Sequence, residues 1–234
     1  MKVVVFGCYG VLGSAVARHL DCSPAVEQVV CVGRDAGRVQ RLVSSLERAV
    51  ASPFDATDGD AVRRVSVGCG LVVNALPITL NTRLMSAALD AGASYIDFAG
   101  PMEEGGRDFV ERYRWLFSEW SDRFRAKGLL ALVGCGVTPG LFNVLARDSV
   151  EKLVRCDTIE LFRCDTWCTR DFVPFWTPPH GPIADMETSA FRFEGGRFVL
   201  DAPFSRSHMT ELRGVGKVCW PLCFGQKGYI CWFL

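Results

Sequence analysis

Gly7, Gly10 and Gly13 stand three residues apart directly after the apolar run Val3, Val4, Val5 and Phe6. A strand that turns through glycines into a helix can hold a dinucleotide pyrophosphate. The helix N-terminus offers free backbone N–H groups and the positive end of its dipole, and the glycines permit a tight turn and close backbone approach. The spacing is GxxGxxG rather than GxGxxG, so the strand before it and the helix after it carry the reading, not the glycines alone. A second chemically informative position lies at Val32-Gly33-Arg34-Asp35. An acidic residue at the end of a second strand bonds a ribose 2′-hydroxyl, whereas an arginine takes a 2′-phosphate. Arg34 holds that position and Asp35 follows as a helix cap, which predicts NADP, with NAD as the alternative. The expected cofactor-contacting set is Gly7, Tyr9, Gly10, Val11, Leu12, Gly13, Arg34, Asp35, Asp55, Ala56, Asn74, Ala75, Leu76, Pro77 and Gly136. In it Asp55 lies near the adenine, and the Asn74 to Pro77 stretch borders the ribose and nicotinamide.

Groups able to do chemistry at a nicotinamide are fewer. Asp97 could accept a proton or orient a substrate amine, or stabilise a loop. Cys135, between two glycines, reads as a reactive thiol or as a small packed side chain. Thr138 could hydrogen-bond a carboxamide or substrate, or cap the helix that Pro139 opens. His180, in the stiff TPPHGP loop, could act as a general base or simply be solvated.

The elements that must position these groups alternate regularly. Strands are predicted over residues 3–6, 27–32, 52–54, 70–75, 94–98 and 129–133. Helices are predicted over 14–20, 35–50, from Asp58 onward, over 81–91 and over 107–127. The last carries an aromatic packing stripe of Phe109, Tyr113, Phe117, Trp120 and Phe124. Six parallel strands separated by helices specify an α/β, doubly wound Rossmann sheet with its ligand site at the carboxyl ends of the strands. Beyond Gly136 the pattern changes to a helix entered through Pro139 and to alternating strands at 157–163, 191–193 and 197–200, the last two flanking a Gly195-Gly196 turn. The expected division is a dinucleotide-binding domain over 1–137, a partial α+β substrate domain over 138–217, and an atypical Cys- and Trp-rich tail over 218–234.

Composition narrows the function classes. Lys and Arg number 26 and Asp and Glu 26, which supplies no global pull toward nucleic acid or an anionic membrane. No apolar run reaches the length of a membrane span. Eleven cysteines without regular spacing do not form a disulfide framework and fit a reducing cytoplasmic location. Cys164 with Cys168 and Cys219 with Cys223 lack the spacing and histidine partners of a zinc site, so no metal is expected. The VCWPLCFGQKGYICWFL end holds Lys227 as its sole charge and reads as a shortened or altered terminus whose apolar surface would favour self-association into a homo-oligomer or aggregate.

The segments GCYGVLGSAVARHL, VGRD, DATD, VVNALPITLN, ALDAGASYIDFAG and LVGCGVTPGLFNVLA resemble, in order, the saccharopine dehydrogenase family and its saccharopine-reductase-like branch. The resemblance runs from Lys2 to about Gly216. It implies an NAD(P)-binding Rossmann domain, a second domain for an amino-acid-like substrate, and hydride transfer at a C–N bond by an NADP-dependent oxidoreductase. Saccharopine reductases carry an aspartate where Thr138 stands and a tyrosine near Gly100, so the resemblance transfers a site location rather than a substrate. A protein of another class, one that keeps the dinucleotide fold without turnover as a sensor or interaction module, is the alternative. An inactive fragment is a third reading.

Overall fold

The structure is a computed structural model and describes residues 1–100, 115–137, 139–159, 161, 190–202 and 204–221. Thr138, His180 and the Cys164–Cys168 pair lie outside the described residues, as do Phe109 and Tyr113. The chain divides into two units, Met1–Gly140 and Leu141–Leu234.

The first unit is built on β1 (Lys2–Phe6), whose Val3, Val4, Val5 and Phe6 are fully buried. A strand without polar alternation must be covered on both faces, and this one is the centre of a parallel sheet. β1 pairs in parallel with β2 (Gln28–Gly33) on one side and β4 (Leu71–Asn74) on the other. β3 (Ala49–Pro53) extends the β2 edge, while β5 (Ser94–Asp97) and β6 (Ala131–Leu132) extend the β4 edge. The resulting order, β3-β2-β1-β4-β5-β6, is that of the doubly wound dinucleotide-binding fold. Strand order reverses at β1, so the crevice beside its carboxyl end is where a ligand fits.

Helices α1 (Val11–Asp21), α2 (Ala36–Val43), α3 (Gly59–Ser66) and α4 (Asn81–Ala91) make the crossovers. The Asp58 carboxylate caps α3 by accepting from the backbone N–H groups of Asp60 and Ala61 at 3.0 Å. α1 starts at Val11, three residues before the sequence expectation, because Gly10 rather than Gly13 is its N-cap. The 35–50 helix is corrected more strongly: α2 stops at Val43. The Ser44 hydroxyl donates back to the Gln40 carbonyl and that of Ser45 to Leu42. The Asp21 carboxylate, at the end of α1, accepts from the backbone N–H groups of Glu47 at 3.0 Å and Arg48 at 2.7 Å. That clamp lifts the chain off the helix and delivers it into β3 early. β6 is shorter than expected, two residues instead of five.

Before β6 a π-helical turn at Leu116–Trp120 leads into α5 (Ser121–Ala126). The wider turn shifts the inward-facing residues of the expected aromatic stripe. Leu116, Trp120 and Phe124 are buried, while Phe117 is turned outward.

The second unit holds α6 (Leu141–Val150) and two antiparallel hairpins. β7 (Ala190–Glu194) pairs with β8 (Arg197–Asp201) across Gly195 and Gly196, at φ 59° and 77°. Two consecutive left-handed residues match the twist of the flanking strands, which is why the glycine pair marks this turn. β9 (Ser207–Leu212) pairs with β10 (Gly216–Pro221). The strand expected at 157–163 is absent from its described residues: Asp157, Thr158 and Ile159 are irregular.

Candidate functional site

At the carboxyl ends of β1 to β4 the first unit encloses a cavity of about 290 Å³. Its wall comes from the turn after β1 (Gly7, Tyr9, Gly10), the end of β2 (Val32, Gly33, Arg34), the loop after β3 (Phe54, Asp55, Ala56, Thr57) and the loop after β4 (Ala75, Leu76, Pro77, Leu80). Of the expected cofactor set, Gly7, Tyr9, Gly10, Arg34, Asp55, Ala56, Ala75, Leu76 and Pro77 line it. Val11, Leu12, Gly13, Asp35, Asn74 and Gly136 do not.

The glycine turn explains itself sterically. Gly7 has φ +76°, and a Cβ there would sit 2.8 Å from the Ala75 carbonyl oxygen. A Cβ on Gly13 would overlap the Gly7 carbonyl, so the third glycine lets α1 close onto the turn. Gly10 brings no capping side chain to α1, which leaves the N–H groups of the first turn, at Val11 and Leu12, for another partner. The cradle is therefore backbone, narrow and positively polarised.

Tyr9 is held on three sides. A Cβ on Gly33 would run into its ring. Its hydroxyl accepts from the Asp35 N–H at 3.3 Å, and the Arg38 guanidinium stacks 4.3 Å above its centroid. Arg34 reaches the cavity with a side chain 77% exposed, its Nη1 4.0 Å from the Asp55 carboxylate. The Thr57 N–H and hydroxyl both donate to Asp55 at 2.9 Å, and together they hold its carboxyl below the usual range, with Arg34 adding to the effect. The Asp35 carboxylate instead accepts from the Arg38 N–H at 2.9 Å as the cap of α2.

Beside the cavity lies a buried polar network that sequence reading missed in part. The Asn74 amide donates to the Asn81 carbonyl oxygen Oδ1 at 2.7 Å and to the Tyr95 hydroxyl at 3.1 Å, and its oxygen accepts from the Leu76 N–H at 3.0 Å. Asn74 was expected to border the ribose; its side chain points into the protein and sets the Leu76 wall. The Asn81 amide donates to Asp97 at 3.1 Å and to the Gly100 carbonyl at 2.6 Å. Asp97, 1% exposed, also accepts from the N–H groups of Ala99, Gly100 and Gly134 at 3.2, 2.7 and 2.8 Å. One carboxylate thus ties together the loops after β5 and β6. Burial pushes its pKa up despite these bonds, and burial likewise pushes up the Tyr95 hydroxyl. Asn81 and Tyr95 carry a faint signal in the sequence: polar side chains at positions where helix and strand face the core.

The segment after β6 packs closely. A Cβ on Gly136 would lie 2.6 Å from the Phe98 carbonyl oxygen, and the Cys135 N–H donates to the Asp97 carbonyl at 2.8 Å. The half-buried Cys135 thiol has its pKa raised by burial, the opposite of an activated nucleophile. Among the described residues no three His, Cys, Asp or Glu side chains converge as metal ligands. No described helix is long and apolar enough to cross a membrane.

A parallel sheet with a glycine cradle and an arginine at its rim defines a Rossmann-type dinucleotide-binding domain. The family model described as saccharopine dehydrogenase NADP binding domain matches residues 3–128, more than half of the chain, and the chain belongs to that family. Relatives include the carboxyaminopropylagmatine dehydrogenase of Synechocystis sp., 29% identical over 148 residues, which covers 61% of this chain and 36% of that protein. The carboxynorspermidine synthase of Vibrio alginolyticus is 23% identical over 176 residues, 69% of this chain and 42% of that one. The chain thus spans well under half the length of these curated relatives. The apo saccharopine dehydrogenase (L-Glu forming) of Saccharomyces cerevisiae shares the fold with a TM-score of 0.61 at 14% identity, over 90% of this chain and 47% of that one.

Proposed function

We propose that the β1–β4 cavity binds NADP and that the chain contributes the cofactor half of an oxidoreductase acting at a C–N bond of an amino- or imino-acid-like substrate. The observation that carries the cofactor assignment is the division of labour at the end of β2. The Asp35 carboxylate is engaged as the α2 cap, while Arg34 extends into the cavity. The residues fit the group on three counts: a cradle that a Cβ would fill, an uncapped helix N-terminus, and a guanidinium suited to a phosphate monoester. The glycine turn and the first turn of α1 hold the pyrophosphate, Arg34 holds the 2′-phosphate, and Leu76 and Pro77 wall the cavity toward β4. When bound, the reduced cofactor supplies a hydride. The buried Asn74–Asn81–Asp97 network keeps the loops around that site rigid and excludes water from beneath them.

The substrate class rests on the family and on relatives named for carboxyalkyl-polyamine chemistry. Titration of NADPH and NADH against the chain tests the cofactor assignment. NADPH binds more tightly, and Arg34→Gln weakens it by about tenfold or more while sparing NADH, as expected for a lost charge-assisted bond. A preference for NADH overturns the Arg34 assignment.

One observation favours a second reading, dinucleotide binding without turnover: Asp97 spends its carboxylate on four structural donors. Oxidation of NADPH in a panel of amines with 2-oxo acids separates the two readings. Turnover supports the enzyme, and binding without turnover supports the sensor.

A further inference from the structure

On the first unit, α3, α4, the π-helical turn and α5 surround a second cavity of about 440 Å³ that shares no lining residue with the dinucleotide pocket. Among the described residues two buried side-chain polar atoms lack a hydrogen-bond partner, Thr82 Oγ1 and Trp120 Nε1, and both belong to side chains lining this cavity. Trp120 is 5% exposed, so its indole N–H carries the cost of a buried donor left unpaired. Two such donors in one place mark a site that wants an acceptor.

The charge around them has the matching sign. Arg63, Arg83 and Arg123 line the cavity against one carboxylate, Asp90. Arg63 pairs with Asp60, and Arg83 Nη1 donates to the Thr57 carbonyl at 2.8 Å, which leaves each guanidinium further N–H groups. Arg123 lies 4.2 Å above the Trp120 ring, so a cation covers one face of the same indole that carries the orphaned N–H. Val62 and Ala87 supply an apolar wall. An indole N–H can only donate, and so can a guanidinium; a ligand that satisfies both must bring acceptor oxygens.

The geometry points to a binding site for a small organic anion, a phosphoryl or carboxylate group on a compact apolar body, held by Trp120, Thr82 and Arg123. The volume suits a small metabolite.

The test uses the full chain with NADPH at saturation, so that the dinucleotide pocket is occupied. Inorganic phosphate, and in parallel succinate, are titrated while the indole N–H resonances are followed by NMR, with Trp120 assigned from W120F. The Trp120 N–H signal moves saturably with one or both anions. Thr82→Val and Arg123→Gln each weaken the apparent affinity by about tenfold, whereas Arg34→Gln leaves it unchanged. A response to phosphate alone assigns a phosphoryl ligand, and a response to succinate alone a carboxylate. If W120F does not fold, the rise in thermal midpoint with anion, lost in T82V and R123Q, reads the same site. The proposal is overturned if the signal fails to saturate, or if T82V and R123Q titrate like the unaltered chain.

Discussion

Asp97 shows how a residue with catalytic potential becomes structural. Its carboxylate accepts from three backbone N–H groups and the Asn81 amide in a site closed to solvent. Asp97→Asn keeps an acceptor for the backbone donors but turns an amide toward the Asn81 amide, two donors face to face. The variant is destabilised by about 2 kcal/mol, measured by denaturant unfolding. The pH dependence carries a sign. The folded pKa is raised above the ordinary carboxylate value of 3.8, so the folded state holds the proton longer than the unfolded chain. The stability contributed by this group is full below pH 3.8 and declines as pH rises toward the folded value. The stability advantage of the unaltered chain over D97N therefore shrinks as pH rises from the acid side. An advantage that grows with pH in this window contradicts the burial argument.

At the scale of elements, the end of β2 and the start of α2 divide one dipeptide between two tasks. Asp35 caps α2 through the Arg38 N–H, and the same stretch fixes Tyr9 through the Asp35 N–H and the Arg38 guanidinium. Asp35→Ala lowers stability by about 1 kcal/mol, the usual worth of an N-cap carboxylate, and leaves the preference for NADPH over NADH intact. Thermal unfolding and cofactor titration read the two effects separately. Loss of NADH binding in D35A would instead make Asp35 a ribose ligand. α2 itself is eight residues long because of a side chain from another element, Asp21 at the end of α1. A helix boundary set by a carboxylate 26 residues away has no local signature, which is why periodicity alone extends α2 to residue 50. The π-helical turn at Leu116–Trp120 has the same character, since it changes which residues face inward without changing their hydrophobicity.

At the scale of the molecule, the dinucleotide pocket belongs wholly to the first unit. Ligand binding then stabilises that unit against opening by about 2.7 kcal/mol at one hundred times the dissociation constant. Hydrogen exchange with and without NADPH shows the added protection concentrated in residues 1–140, strongest in β1, β2 and the first turn of α1. Equal protection across residues 141–221 would assign part of the site to the second unit. Much of this organisation was already legible along the chain. The unbroken apolar run of β1, the glycines after it, Arg34 at the end of β2 and the Gly195-Gly196 turn are local signals, because backbone conformation and strand burial depend on neighbours in sequence. Tertiary structure alone decided the rest. It turned Asn74 inward, brought Asn81 and Tyr95 to Asp97, and left the Trp120 and Thr82 donors facing no partner among three arginines. Each of those outcomes depends on which side chains from distant elements meet where water is excluded, and hydrogen-bond demand there is settled by geometry in space rather than by spacing along the chain.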